Sequence, residues 1–240
     1  MSLEPADCRN WKNSIGMNGI IVQSSAGVTL AGGGGFSLKM LEIARKWAPR
    51  LVAADGGADR LLRLGVEPEA VIGDFDSITA EARQRLAGRL YPIPEQATTD
   101  FDKALRSIAA PFVLGVGFSG ARLDHGLAVL NGLVAHPDRR CFILGTRDVV
   151  FLAPVSLHLR LPVGSRLSLF PMGPVTGTSE GLRWPLQGID FAPDGMIGTS
   201  NAVAGPVHLT FSAPRMLVIL PRSALAAALD AFGLTGVHAR

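Results

Sequence analysis

Between residues 28 and 152 short apolar runs alternate with stretches of helical period, and no other feature restricts the fold of this chain as much. The runs 28–31, 51–54, 70–72, 112–116 and 141–144 carry almost no polar residue. The segments 37–47, 57–65, 79–87, 101–108 and 123–135 between them repeat apolar residues at the spacing of amphipathic helices. A strand that is apolar on both faces must be covered on both faces, which is the situation of a parallel sheet wound with helices. Residues 27–153 are therefore expected to form a mostly parallel α/β domain.

After residue 152 the pattern changes. Short runs at 158–161, 166–170, 188–191, 207–211 and 216–220 are separated by turn sequences such as Pro162-Val163-Gly164 and Ala192-Pro193-Asp194-Gly195. Evenly spaced short strands of this kind predict an antiparallel β-sandwich or partial barrel over 154–240. A short helix over 223–232, with Ser223 as its N-cap, is expected to close the chain. Ala153-Pro154-Val155 marks the boundary, and residues 1–26 read as a ragged leader, disordered or in part vector-derived.

Composition narrows the function classes. With 48% apolar and 18% charged residues in 240, the chain can bury a substantial core, which excludes intrinsic disorder. Net charge is only +3 and no Lys/Arg run exceeds two residues, so the basic stripe of a nucleic-acid binder is missing. No apolar stretch approaches the ~18 residues of a membrane span. Glu4 and Asp7 open a polar N-terminus unlike a signal peptide. Cys8 and Cys141, isolated from each other, read as free thiols in a reducing compartment, and a soluble cytoplasmic protein is expected.

Of thirteen aspartates, seven fall between positions 55 and 124: Asp55, Asp59, Asp74, Asp76, Asp100, Asp102 and Asp124. Several stand just past an expected strand, and in an open parallel sheet ligands bind outside the carboxyl ends of the strands. Asp55, Asp74, Asp76 and Asp124 are expected to converge there. Crowded carboxylates repel and call for a cation, and Mg²⁺ takes oxygen ligands together with waters and substrate phosphates. One aspartate alone is as a rule an N-cap or a turn residue. Asp59 and Asp102, one turn into their helices, fit that structural role. Asp74 and Asp76 are two apart, which in extended backbone puts both on one side. As a loop carboxylate, Asp74 is expected to add little to the core.

The glycines at 32–35, 56–57 and 115–120 also follow expected strands, where exposed backbone N–H groups at a helix start can cradle phosphate. None forms a Walker A loop, and Gly115-x-Gly117-x-x-Gly120 is only a weak dinucleotide fingerprint. Lys103 and Arg122 are the cations nearest these loops, and His125 stands at a helix start where it suits either a phosphate contact or plain structure.

Taken together and in order, these segments resemble the thiamin pyrophosphokinase family. The resemblance is carried by Ala-Asp-Gly-Gly at 54–57, Ile-Gly-Asp-Phe-Asp-Ser-Ile at 72–78, Thr-Asp-Phe-Asp-Lys-Ala-Leu at 99–105, and Arg-Leu-Asp-His at 122–125 with Asn131. Ser-Leu-Phe-Pro at 168–171, Gly-Leu-Arg-Trp-Pro-Leu at 181–186 and Thr-Ser-Asn at 199–201 extend it into the second half. The resemblance implies an α/β catalytic domain, a thiamin-binding β-sandwich, and a homodimer with active sites between subunits. It implies pyrophosphoryl transfer from ATP to the thiamin hydroxyl, with AMP as the other product. By position Asp74, Asp76 and Asp100 match the Mg²⁺-binding and catalytic carboxylates, with Arg122 as a charge-stabilising cation and Asp100 as the candidate base. Asp55, Gly56, Gly57, Thr99, Lys103, Arg122, Asp124 and His125 match positions around ATP. Trp184, Ser200 and Asn201 match positions that hold thiamin.

Two positions depart from the family pattern: Ala97 replaces an acidic residue before the Thr-Asp motif, and Ala121 replaces a glycine before Arg122. Two other functions are alternatives, of which the first fits the first half of the chain equally well. One is pyrophosphoryl transfer to a hydroxymethyl pterin, and the other is a non-catalytic thiamin or nucleotide sensor.

Overall fold

The computed structural model describes residues 19–120 and 122–235. The first half contains β1 (Val22–Gln23), β2 (Val28–Ala31), α1 (Leu38–Trp47), β3 (Arg50–Ala54), α2 (Gly57–Arg63), β4 (Ala70–Gly73) and α3 (Ala80–Arg85). There follow β5 (Leu90–Pro92), α4 (Asp100–Arg106), β6 (Ile108–Ala109), β7 (Val113–Val116), α5 (Leu123–Ala135), β8 (Cys141–Leu144) and β9 (Asp148–Leu152). The second half is β10 (Ser156–Leu159), β11 (Arg166–Pro171), β12 (Val175–Leu182), β13 (Asp190–Phe191), β14 (Gly198–Phe211) and β15 (Met216–Pro221), closed by α6 (Leu225–Asp230).

The strands that read as apolar on both faces are buried on both faces, and they pair in parallel as expected. One parallel group is β3-β4-β5 and the other is β2-β7-β8, with β3 alongside β2. Thr29 in β2 donates its hydroxyl to the carbonyl of Ala48 at 2.6 Å, tying β2 to the approach of β3. The chain leaves β2 toward β3 and leaves β7 toward β8, so the connections diverge between β2 and β7. In an open sheet that divergence opens a crevice at the carboxyl ends.

The sheet does not stop where the pattern changes. β9 turns back antiparallel on β8, β15 pairs with β9, and β11 pairs with β15, so one hydrogen-bonded path runs from the α/β layer into the sandwich. β14 bends between layers: its start pairs with β11, and from Val203 onward it pairs with β12 and β10. Leu157, Leu167, Leu169, Leu209 and Phe211 fill the space between those layers.

Several details differ from the sequence reading, β5 and β9 among them, which no expected run announced. Val22–Gln23 pairs in parallel with Ile108–Ala109 and Val22 is buried, so 19–26 joins the α/β layer because its one apolar run finds a partner; residues 1–18 lie outside the described residues. Ser223 sits inside a 3₁₀ turn over Arg222–Ala224, and α6 begins at Leu225 with no side-chain cap. β12 was not expected at all: its inward residues are Val175, Ser179 and Leu182, too small and mixed to form an apolar run.

Candidate functional site

A cavity of about 380 Å³ lies over the crevice. It is lined by the loops after β2, β3, β4 and β7, by the start of α4, and by Arg122, His125 and Val129 at α5. Three of these loops are the glycine segments singled out in the sequence, and the structure gives them a specific reason. Gly34 donates its N–H to the carbonyl of Gly117 at 2.9 Å, and a Cβ on Gly34 would lie 2.5 Å from that oxygen. A Cβ on Gly57, at the start of α2, would lie 2.1 Å from the carbonyl of Ala31. The loops thus pass so close that side chains are excluded, leaving a backbone-lined floor.

The aspartates enter from different elements. Asp55 ends β3 and is 1% exposed; Asp74 and Asp76 follow β4; Asp100 opens α4 behind the N-cap Thr99, whose hydroxyl accepts the Asp102 N–H at 3.3 Å. Oxygens of Asp55, Asp74 and Asp76 lie within 4.8 Å of one another. Asp100 stands beside this group: its Oδ1 accepts from Lys103 Nζ at 3.1 Å, and Lys103, 1% exposed, also donates to Asp74 Oδ2 at 2.6 Å. Asp55, expected around ATP, is thus the third member of the cation-sized group, where Asp100 was expected.

Asp74 and Asp76 meet in a different way from that expected. The backbone between them is not extended, since Phe75 has a left-handed φ of 66°. Its ring is buried, and Arg83 donates to its carbonyl, holding the kink. Among the described residues, the non-glycine residues with left-handed φ are Asp55, Phe75 and Ser200. Each lies at or between residues that the sequence reading assigned to a site, and such strain persists only where surrounding structure over-determines it.

The electrostatics separate the carboxylates. Burial, then repulsion from Asp100 and the neighbouring Asp76, pushes the Asp55 carboxyl up to about 6, although the Ser77 N–H, 3.1 Å from Oδ2, works against the shift. Asp55 Oδ1 is buried with no hydrogen-bond partner. The Lys103 ammonium holds the Asp74 carboxyl below the usual carboxylate range. Burial alone lowers the Lys103 ammonium, but Asp74 and Asp100 more than offset this and hold it above its ordinary value. Asp74 is therefore no idle loop carboxylate: it partners a buried ammonium. An orphaned buried oxygen within a group of three carboxylates fits a hard divalent cation such as Mg²⁺.

At the rim Arg122 is exposed and paired with Asp124, Nη2 to Oδ2 at 2.6 Å, and the guanidinium beside it holds the Asp124 carboxyl down at about 2. His125 is exposed and lines the cavity. Ala97 is exposed, and Ala121 lies outside the described residues. Asp59 and Asp102 have the structural roles expected of them. Asp59 Oδ2 accepts the Thr79 N–H at 3.1 Å, and Asp102 Oδ1 lies 2.7 Å from His136 Nε2. The sequence reading missed Ser77, Thr98, Phe118, Ser119 and Val129 as lining residues. Phe118 meets Phe101 edge to face at 4.9 Å, giving the cavity an apolar end. Its position between Gly117 and Gly120 was the available signal.

The residues expected to hold thiamin do not line this cavity. Trp184 is 52% exposed and stacked on by Arg183, whose guanidinium carbon lies 4.9 Å from the ring centroid. Buried Asn201 clamps the Trp184 backbone from both sides, accepting its N–H at 3.2 Å and donating to its carbonyl at 2.7 Å. Ser200, left-handed, donates its N–H to Ser168 Oγ at 2.9 Å. Asn201 thus fixes the Trp184 backbone while the ring stays exposed.

Comparison with known proteins places both halves. Residues 41–143 match the model of the thiamin pyrophosphokinase catalytic domain, and residues 156–216 match that of the thiamin pyrophosphokinase vitamin B1 binding domain. Thiamine pyrophosphokinase 2 of Oryza sativa subsp. japonica is 30% identical over 200 residues, covering 66% of this chain and 75% of the relative. Thiamin pyrophosphokinase from Candida albicans superposes with a TM-score of 0.69 at 16% identity, covering 81% of this chain and 90% of that one. Yeast thiamin pyrophosphokinase gives 0.69 at 16% identity over 86% and 94%. At those identities the superpositions establish the two-layered fold alone.

Proposed function

This chain belongs to the thiamin pyrophosphokinase family, and from that premise we propose that it transfers the pyrophosphoryl group of ATP to the hydroxyl of thiamin, giving thiamin diphosphate and AMP. The observation that carries this reading is the carboxylate group with its buried ammonium at the carboxyl edge of the parallel sheet, inside the segment that matches the catalytic domain. Attack of the alcohol on the β-phosphorus expels AMP and builds charge on the phosphoryl oxygens, so catalysis is positioning plus electrostatics. Asp55, Asp74 and Asp76 are the residues that would hold Mg²⁺, which when bound neutralises phosphate charge.

The chain's own residues supply the rest. Lys103 is locked between Asp74 and Asp100 and holds both carboxylates in place. The glycine-lined floor leaves room for phosphates to approach the backbone. Arg122, at the rim, is free to turn from Asp124 toward the developing charge, and Asp100 is the candidate base for the thiamin hydroxyl. Phe101, Phe118 and Val129 give an apolar end suited to a nucleobase.

Thiamin is a cation with aromatic rings, and Trp184 offers an exposed aromatic face for it. Trp184, Ser200 and Asn201 do not line the carboxylate cavity of their own chain, which supports a homodimer in which the partner's sandwich completes the site. Exposed Leu123 and Leu127, one turn apart on α5 beside the cavity, support the same reading. No described helix is long and apolar enough to cross a membrane, and the isolated buried Cys141 fits a cytoplasmic enzyme.

The match to a vitamin B1 binding domain favours thiamin over a hydroxymethyl pterin as acceptor. The deciding experiment incubates the protein with Mg²⁺, ATP and thiamin, and follows AMP and thiamin diphosphate against a control without thiamin. Equal amounts of both products, dependent on thiamin, are expected. Thiamin binding with no AMP release would make the protein a sensor instead. A related prediction concerns Trp184→Ala. It should raise the thiamin KM about tenfold or more and leave the ATP KM nearly unchanged; equal effects on both would take Trp184 out of the thiamin site.

A further inference from the structure

The outer face of the sandwich, apart from the carboxylates, carries two histidines and a glutamate side by side in register. β10 and β14 pair antiparallel with His158 opposite His208, and β12 puts Glu180 opposite His208 from the other side. Side chains alternate across a sheet. Leu157, Leu159, Val207, Leu209 and Ser179 are buried, so His158, His208 and Glu180 share the outer face in one row. The two imidazoles are stacked, 3.9 Å between centroids and within 9° of parallel, and Ser156 Oγ lies 3.1 Å from His208 Nε2.

A metal ion binds imidazole through the lone pair of Nε2 or Nδ1. Two metal–nitrogen bonds of about 2.0–2.1 Å reach across roughly 4 Å at the widest. Rings stacked 3.9 Å apart are close enough for side-chain rotation to turn one nitrogen of each toward a shared ion. Imidazoles joined by a carboxylate suit Zn²⁺, Ni²⁺ or Cu²⁺, whereas the all-oxygen group at Asp55, Asp74 and Asp76 suits Mg²⁺.

We propose that His158 and His208, with Glu180 as third ligand, form a site for a borderline divalent transition metal that clips β10, β14 and β12 together on the outer face of the sandwich. The site is chemically distinct from the magnesium-type group and does not depend on the reaction assigned to it.

The test titrates full-length protein with ZnSO₄ by calorimetry at about pH 7.5, with Mg²⁺ in excess to occupy the carboxylate group. One Zn²⁺ per chain is expected. His158→Gln and His208→Gln should each weaken it at least about tenfold, and Glu180→Gln should weaken it less. Cu²⁺ in place of Zn²⁺ should show hyperfine coupling to two nitrogens by electron paramagnetic resonance, lost in either histidine variant. These side chains sit on the outer face, so the variants should match wild type in metal-free melting temperature and in AMP formation. Zinc affinity unchanged in both histidine variants, or no zinc binding beyond what Asp55→Asn removes, overturns the proposal.

Discussion

Asp74→Asn is expected to cut turnover on the order of a thousandfold and at the same time to weaken the fold. The first effect follows from its place among three carboxylates whose oxygens lie within 4.8 Å of one another, where each charge helps hold a cation against the phosphates. The second follows from Lys103, which is 1% exposed and 2.6 Å from Asp74 Oδ2. An amide in that place leaves the buried ammonium, among the described residues, with Asp100 as its remaining ion-pair contact, 3.1 Å away. Weakening one arm of a buried charged pair costs about 1–3 kcal/mol, or a fall of about 2–12 °C in melting temperature for a chain of this size. Product formation and thermal unfolding of the same preparation check both halves. Turnover within a few fold of wild type would remove Asp74 from the metal group, and an unchanged melting temperature would mean that Lys103 is held without it.

The second large effect is a dependence of stability on pH that Mg²⁺ should abolish. Asp55 is 1% exposed and its carboxyl is pushed up to about 6, first by burial and then by Asp100. A folded-state value above the unfolded one means that the native state prefers the protonated acid. The stabilisation is complete below the unfolded value of about 4 and is lost as pH rises through about 6, a difference of about 3 kcal/mol. Metal-free protein should therefore become less stable between about pH 4.5 and 7, and Asp55→Asn should flatten that slope. Saturating Mg²⁺ near neutral pH should restore stability to wild type by mass action and do little for the variant. Denaturant unfolding at several pH values, with and without Mg²⁺, is the measurement. A wild-type profile no steeper than that of Asp55→Asn would show that Asp55 is not the strained acid of this site.

Much of the architecture was legible because it follows from local pattern. Continuously apolar strands between amphipathic helices leave a chain few options other than a covered parallel sheet, and the aspartates at their ends could be placed on one edge before any coordinates. β12 was not legible, since Val175, Ser179 and Leu182 are too sparse and mixed to announce a strand; its place is set by the long β14 that it pairs with. Ser200 and Asn201, matched in the sequence to thiamin-holding positions, lie within β14, where a left-handed residue and a buried amide fix the Trp184 backbone.

The sequence by itself determined which residue types gather at the sheet edge: strand periodicity and turn chemistry act over a few residues and are written locally. Only the tertiary structure decided how those residues divide the work. The burial of Asp55, the left-handed kink at Phe75 and the capture of Lys103 between Asp74 and Asp100 arise from contacts between elements far apart in the chain. Desolvation and close charge pairing depend on three-dimensional distance. A linear pattern can name the carboxylates, but only packing determines which of them is buried, strained and left to a cation.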